Sequence, residues 1–188
     1  MIRAATFAFA GIAAFGLFEA ASAAIIPAKA VVAQMLLERA FERSVATHRP
    51  VKPWPWADMA PVARVTIPRL GLREVALDSG SGQALAFGPT FLPTAAAPGA
   101  PGTAVAAAHR DTHFRGLKDV RIDDLVIVEG IDGHSTTYRV DSLQVTRWDR
   151  FAVSPDRLET RLALVTCYPF GATTHGPMRF IVQARKEG

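Results

Sequence analysis

Residues 136–148 have the sequence TTYRVDSLQVTRW, and this stretch decides the class of fold. It is rich in β-branched and aromatic residues, and its apolar and polar positions partly alternate, which is typical of a strand. Five further segments share this character and are bounded by Gly, Pro or Asp: Val62–Ile67, Thr103–Ala108, Leu125–Glu129, Leu162–Thr166 and Arg179–Ala184. The spacing of these segments predicts an all-β domain, a small barrel, with short helices at Ser81–Phe87 and after His113.

The N-terminal stretch differs in composition from this domain. After Arg3 the chain continues AATFAFAGIAAFGLFEAASAAIIPA, with Glu19 as its single charged residue. This length approaches the ~20 apolar residues that cross a bilayer, and one basic residue ahead of it favours export of the downstream chain. Residues 1–27 are therefore predicted to be a signal anchor or transmembrane helix. The sequence Ala21–Ala23 also fits a signal-peptidase site, whose cleavage releases a soluble product.

Two segments connect this stretch to the barrel, which we place at residues 62–188. Residues 28–47 have an apolar face and a charged end, which fits either an amphipathic juxtamembrane helix or an ordinary helix packed on the domain. Residues 48–61 contain four prolines and favour an extended linker. In this linker, Trp54 and Trp56 fit either the membrane interface or a groove on the domain.

Composition excludes several classes of function. The 188-residue chain carries a formal net charge of +4, but its basic residues are scattered among carboxylates and form no run of five or more. We therefore expect no nucleic-acid partner. With Cys167 as the single cysteine, the chain forms no intrachain disulfide. A free thiol in an exported protein is either buried and inert or functional.

Three reactive side chains lie at the ends of predicted strands. Cys167 ends one strand and is followed by Tyr168-Pro169, while His109 ends another and Arg179 begins the last. A cation stabilises a thiolate, an imidazole transfers protons, and a guanidinium can bind an oxyanion. Convergence of the three at one rim of the barrel gives a nucleophilic cysteine site. The alternative is a buried cysteine, a surface histidine and a strand-edge arginine.

Three sequence segments resemble those of the sortase family. LALVTCYPF is similar to the sortase signature around the cysteine, AAAHRDTHF to the histidine segment, and GPMRFIV to the arginine strand. The resemblance runs in order from about Val62 to the C-terminus, and the upstream IPAKAVVAQMLLERAF and KPWPWADM segments resemble a proteobacterial subgroup that includes marine species. It implies a closed eight-stranded β-barrel without a cofactor.

The resemblance also implies an activity and its site. Sortases cleave a C-terminal LPxTG-like sorting signal between Thr and Gly, hold the protein as a thioester and transfer it to an amine acceptor. By position, Cys167 is then the nucleophile, His109 the general acid/base and Arg179 the oxyanion stabiliser. The chain is expected to be a single-pass inner-membrane protein with a periplasmic catalytic domain.

Two positions depart from the family pattern. Ala163 stands where threonine is usual, and Ala107-Ala108 precede His109 where glycine is usual. Neither change removes a catalytic group. If the usual glycine before the histidine has positive φ, the alanine in this chain places the backbone of His109 differently.

Four other residues are candidates for substrate binding. Thr166 is next to the nucleophile, Trp148 lies in a loop that can wall a peptide groove, Asp111 follows His109, and His175 precedes Arg179. Asp111 is otherwise a turn residue that satisfies its own backbone. The four-residue spacing of His109 and His113 occurs in metal-binding helices, but the preceding strand and the missing HExxH glutamate argue against a metal site.

Two other functions compete with the transpeptidase. A cysteine peptidase that hydrolyses the same signal uses the same acylation machinery, so the sequence does not separate the two. The second alternative is a non-catalytic, membrane-tethered β-barrel that binds a peptide through an inert site. The reactivity of Cys167 towards thiol reagents distinguishes this second alternative from both enzymes.

Overall fold

The computed structural model describes residues 15, 16, 19, 29–79, 81–153, 158–174 and 176–188. The strands, numbered along the chain, are β1 Pro61–Ile67, β2 Leu72–Leu77, β3 Thr90–Phe91, β4 Gly102–Ala107, β5 Leu125–Gly130, β6 Ser135–Arg147, β7 Thr160–Cys167 and β8 Met178–Lys186. The helices are α1 at residues 29–47, α2 at Gly82–Leu85, and two 3-10 helices at Pro68–Leu70 and Arg115–Asp119. These eight strands of the described chain close into a barrel, which confirms the predicted fold class.

The strand order around the barrel places three distant segments side by side. The order is β1-β2-β3-β4-β7-β8-β6-β5. Strands β4 and β7 run parallel, whereas β7 and β8 are antiparallel, as are β8 and β6. The C-terminal ends of β4 and β7 and the N-terminal end of β8 therefore meet at one edge of the barrel.

Alternate residues of the strands fill the barrel. Its inward-facing side chains are small or branched, and they include Ala104, Ala106, Leu162, Leu164, Val182 and Ala184. Tyr138 is also fully buried, and its hydroxyl oxygen accepts a hydrogen bond from the Gly99 N–H at 2.7 Å. Burial raises the pKa of this phenol, so the neutral form is favoured. The buried hydroxyl of Tyr138 thus has a hydrogen-bond partner.

Helix α1 covers the outer face of β2 from residue 37 onwards. Leu37 and Phe41 are buried and pack with Val75, Leu77 and Met59. Full burial of each of these two side chains contributes about 1.5–3 kcal/mol. The second half of the helix therefore belongs to the core that surrounds the barrel.

A buried arginine of β1 joins the same helix to the barrel. The Arg64 Nη2 lies 2.5 Å from the Glu38 carboxylate, and its Nη1 lies 2.9 Å from that of Glu129. Its guanidinium also stacks 4.2 Å from the centre of the Phe41 ring. Because Arg64 is paired on both sides, its charge is tolerated in a largely buried position.

Strands β2 and β3 are absent from the sequence prediction. In β2 the adjacent polar pair Arg73-Glu74 interrupts the apolar–polar alternation, and β3 has two residues whose position depends on the pairing of Thr90 with Leu77. The predicted helical pieces are present. Ser81 caps α2, because its hydroxyl oxygen accepts the Ala84 N–H at 3.1 Å.

The predicted membrane span at residues 1–27 falls largely outside the described residues. Among those that are described, no helix combines the length and the apolar character needed to cross a membrane. The chain divides into two compact units, Met1–Leu36 and Leu37–Gly188. The boundaries expected after residues 27, 47 and 61 stay predictions.

Candidate active site

Cys167 and Arg179 face each other across two neighbouring strands. They are paired Cα to Cα at the open end of the β7–β8 ladder. Within that ladder, Val165 and Ile181 are the pair whose side chains pack on the outer face of the barrel. Because strand residues alternate between faces, Cys167 and Arg179 lie on this same outer face. Both side chains are half-buried.

His109 reaches the same edge from the other side of β7. In the parallel ladder Ala107 pairs with Val165, so His109 and Cys167 each come two residues after that pair. Adjacent strands are about 4.8 Å apart, which places the two backbones next to each other. His109 is exposed, so its imidazole can exchange protons with solvent and substrate.

Two hydrogen bonds fix the backbone between the histidine and the cysteine. The Ala108 N–H donates to the Val165 carbonyl at 3.2 Å, and the Thr166 hydroxyl donates to the Ala108 carbonyl at 2.7 Å. Thr166 is 2% exposed and faces the barrel interior. Its side chain therefore positions His109 relative to Cys167, which is a contact that the sequence does not indicate.

The guanidinium of Arg179 is held by the loop that precedes it. Its Nη1 donates to the carbonyls of Gly176 at 2.9 Å and Met178 at 2.8 Å. Among the described residues, no acceptor contacts its Nη2 or Nε. Because Arg179 is paired with Cys167 across the β7–β8 ladder, a guanidinium fixed in this way suits the stabilisation of an oxyanion.

The comparisons with known proteins agree with this geometry. A sortase-domain profile matches residues 65–187, which is more than half of the chain. The chain belongs to the sortase family. This membership confirms the resemblance to sortases that the sequence showed. It also agrees with the predicted class of enzyme, a cysteine transpeptidase. No curated protein sequence matches the chain.

Solved sortase structures share the fold of this sortase. Sortase A from Corynebacterium diphtheriae has a TM-score of 0.63 and 23% identity over 71% of this chain, which spans 63% of that protein. A sortase D5 transpeptidase from Clostridium perfringens has a TM-score of 0.67 and 20% identity, over 84% of this chain and 99% of that one. Sortase C-1 from Actinomyces oris has a TM-score of 0.59 and 23% identity, over 68% of this chain and 75% of that one. At these identities the likeness shows the fold alone.

The alanines that depart from the family pattern fit this sortase without strain. Among the described non-glycine residues, positive φ occurs at His48 and Asp123 and not at Ala107 or Ala108. The backbone before His109 therefore does not need a glycine. Ala163 is 1% exposed in the outer cluster with Val105 and Ile181, which is an apolar position suited to a methyl group.

The remaining predicted substrate-binding residues lie in different environments. Trp148 is 63% exposed, and its backbone N–H donates to the Pro177 carbonyl at 2.8 Å, which places the residue at the rim near Arg179. Asp111 is exposed, and its carboxylate lies 3.5 Å from the Arg110 Nε with no hydrogen bond to His109 in the described part of the chain. His175 lies outside the described residues. The substrate-binding roles of these residues stay predictions.

Arg110 is a site residue that the sequence analysis missed. It follows His109 directly, is 5% exposed, and its Nη2 donates to the carbonyls of Ala172 at 2.5 Å and Thr174 at 3.0 Å. Arg110 thus ties the histidine loop to the loop between β7 and β8. Sequence periodicity does not distinguish a buried arginine from an exposed one. The position of Arg110 next to His109 was therefore the one sequence feature that pointed to it as a site residue.

His113 is occupied by a structural contact. Its Nδ1 lies 2.7 Å from the Glu74 carboxylate of β2, and its side chain is about nine-tenths buried. The residue therefore fastens the histidine loop to the barrel wall. This pairing explains the four-residue spacing from His109 without a metal.

A shallow groove runs along the outer face of β4, β7 and β8. It has a volume of about 240 Å³ and is lined by Thr103, Phe151, Ala152, Val153, Arg161, Ala163 and Gln183. Phe151 also packs against the outer cluster that contains Val105 and Ala163. Phe151 is therefore both a wall of the groove and part of the outer apolar cluster. Ala163 precedes Cys167 by four residues, or about 13 Å along the strand.

Proposed function

We propose that this sortase cleaves a C-terminal sorting signal similar to LPxTG and transfers the new carboxyl terminus to an amine acceptor. The observation that carries the proposal is the placement of His109, Cys167 and Arg179 at one edge of three adjacent strands. Nucleophile, proton donor and oxyanion ligand then lie side by side. This is the arrangement that acyl transfer through a thioester requires.

The first half of the reaction forms the thioester. The Sγ of Cys167, as thiolate, attacks the scissile carbonyl carbon, and the carbonyl oxygen becomes an oxyanion that accepts hydrogen bonds from Arg179. The protonated imidazole of His109 gives its proton to the departing amine nitrogen as the C–N bond breaks. The acyl group remains on Cys167, and the C-terminal fragment leaves with a neutral amine.

The second half transfers the acyl group. An acceptor amine attacks the thioester carbon, the C–S bond breaks, and Cys167 leaves as thiolate. The surplus proton of the amine goes to His109, which is thereby ready for the next cycle. Attack by water in place of the amine gives hydrolysis, which is the peptidase alternative.

The acyl side of the substrate fits the groove on β4, β7 and β8. The groove shares the outer face of β7 with Cys167, and Phe151 and Ala163 contribute apolar surface to it. The charge of Arg161, which also lines it, is paired with Asp141 and Glu159. An extended peptide with small apolar side chains fits such a surface better than a charged one. We therefore place the residues before the scissile bond there.

We also propose that residues 1–27 anchor the enzyme in the inner membrane, with the barrel in the periplasm. Support comes from the sequence: the apolar stretch has the length of a bilayer span and comes after one basic residue. Fractionation of cells that express the full chain tests this proposal. Recovery of the protein in the soluble periplasmic fraction would instead indicate cleavage near Ala21–Ala23.

The activity is tested with a ligation assay. The full-length chain in detergent is mixed with a signal peptide and an amine, and the ligated product is measured by chromatography. We expect product with the native chain and none with Cys167→Ala. Ligation by Cys167→Ala would refute the mechanism, whereas binding of the peptide without any cleavage by the native chain would favour the non-catalytic barrel.

A further inference from the structure

A second pocket, distinct from the peptide groove, lies between the histidine loop and the β7–β8 loop. It has a volume of about 580 Å³ and is lined by Arg110, Asp111, Arg115, Lys118, Phe170 and Gly171. Three of these side chains are cations and one is a carboxylate. The pocket therefore has a positive potential that attracts anions.

The cations of this pocket are weakly neutralised within the described part of the chain. The Nε and Nη1 of Arg110 are buried without a hydrogen-bond partner, and the nearest carboxylate, Asp111, lies 3.5 Å from that Nε. Arg115 makes no ion pair with any described residue. The Lys118 Nζ lies 3.9 Å from the Asp119 carboxylate. Buried guanidinium nitrogens that lack acceptors gain stability from an anion bound beside them.

The position of the pocket relative to His109 identifies the reactant. Arg110 lines the pocket and follows His109 directly in the chain, so the pocket lies one residue away from the histidine whose imidazole gives its proton to the departing amine. That imidazole marks the leaving-group side of the scissile bond. Because the acceptor amine attacks the thioester from the position that the leaving amine vacates, the acceptor also occupies this side.

We infer that the pocket binds an anionic group, a carboxylate or a phosphate, carried by the amine acceptor. The inference rests on the proposed transfer reaction and names the class of its second substrate, a primary amine with a negative charge a few bonds away. Binding of the anion by Arg115 and Lys118 holds the acceptor beside His109. Its amine is then positioned to form the C–N bond as the C–S bond breaks.

The test compares charged and neutral acceptors on the preformed acyl-enzyme. The full-length chain in detergent is acylated with a signal peptide, and kcat/KM for transfer is measured in two pairs: triglycine against triglycine amide, and phosphoethanolamine against ethanolamine. We expect the anionic member of at least one pair to react about tenfold faster at low salt, with the advantage lost at high salt. The pair that shows the advantage distinguishes carboxylate from phosphate.

Variants assign the effect to the pocket. In Arg115→Gln/Lys118→Gln the ratio between anionic and neutral acceptors should fall to about one. The matched control Arg185→Gln/Lys186→Gln removes the same charge at the C-terminal end of β8, about 20 Å along the strand from Arg179, and should keep the ratio of the native chain.

Three outcomes would overturn the inference. Equal rates within both pairs for the native chain would exclude an anionic acceptor, and a ratio unchanged in Arg115→Gln/Lys118→Gln would exclude the pocket. In both cases the acyl-enzyme still forms, so the proposed function stands. Failure to form any acyl-enzyme would overturn the proposed function and this inference with it.

Discussion

Replacement of Thr166 by valine tests whether the active site depends on the contact between β4 and β7. Valine keeps the size of threonine but lacks the hydroxyl that donates to the Ala108 carbonyl at 2.7 Å. The position is 2% exposed, so water does not readily replace the lost donor. A buried carbonyl that loses its donor costs about 1–3 kcal/mol of the free energy of unfolding.

The effect on catalysis comes from the position of Ala108, which immediately precedes His109. A displacement of His109 by about 1 Å lowers the rate by about 10²-fold, so we expect kcat/KM for acylation to fall by about 10- to 100-fold. The loss should lie mainly in kcat, since Thr166 faces away from the substrate. Initial rates of signal-peptide cleavage and thermal denaturation of the same preparations measure the two effects.

The matched control is Thr166→Ser, which keeps the hydroxyl and loses a buried methyl group. It should be destabilised to a similar degree and yet retain most of the activity. Native activity in Thr166→Val would refute the positioning role. Equal loss of activity in the serine and valine variants would show that packing, and not the hydrogen bond, is what matters.

Further variants test the oxyanion ligand, the helix and the ion pairs. Arg179→Ala should lower kcat/KM by about 10²-fold or more in initial-rate assays, because it removes the donors beside Cys167; an active alanine variant would contradict this role. Leu37→Ala should lower the free energy of unfolding by about 2–5 kcal/mol in denaturant titrations, whereas the exposed control Glu42→Ala should change it little; equal effects would contradict the packing of α1. The hydrogen bonds from Arg69 lower the pKa of Asp124, so its contribution to stability is present above pH ~4 and is lost as pH falls through the lowered value. Asp124→Asn should therefore flatten the decline of the free energy of unfolding in acid, and an unchanged slope would contradict this pairing.

The sequence predicted the barrel because its long strands carry their own signal. Segments such as Thr136–Trp148 and Leu162–Thr166 are rich in β-branched residues, and the structure places strands at both. β2 and β3 lacked that signal, since a charged pair interrupts one and the other has two residues. Such strands are defined by their pairing partners, which a local pattern does not contain.

The sequence predicted the reactive residues of the site but not the residues that position them. Cys167, His109 and Arg179 were identified from chemistry and from the family resemblance, and their placement on adjacent strands results from the barrel order. The contacts of Thr166 and Arg110 link segments more than 55 residues apart, with separations of 58 and 62 residues. A pattern within one segment does not reveal a contact at such a distance.

Intact mass spectrometry shows whether Cys167 accepts the acyl group. The full-length chain in detergent is incubated with an LPxTG-like peptide and no amine, and then quenched in acid. We expect a mass increase equal to the N-terminal part of the cleaved peptide, located on Cys167, absent in Cys167→Ser and removed by added amine. Peptide cleavage without such an adduct, or with the adduct on another residue, would contradict this role of Cys167.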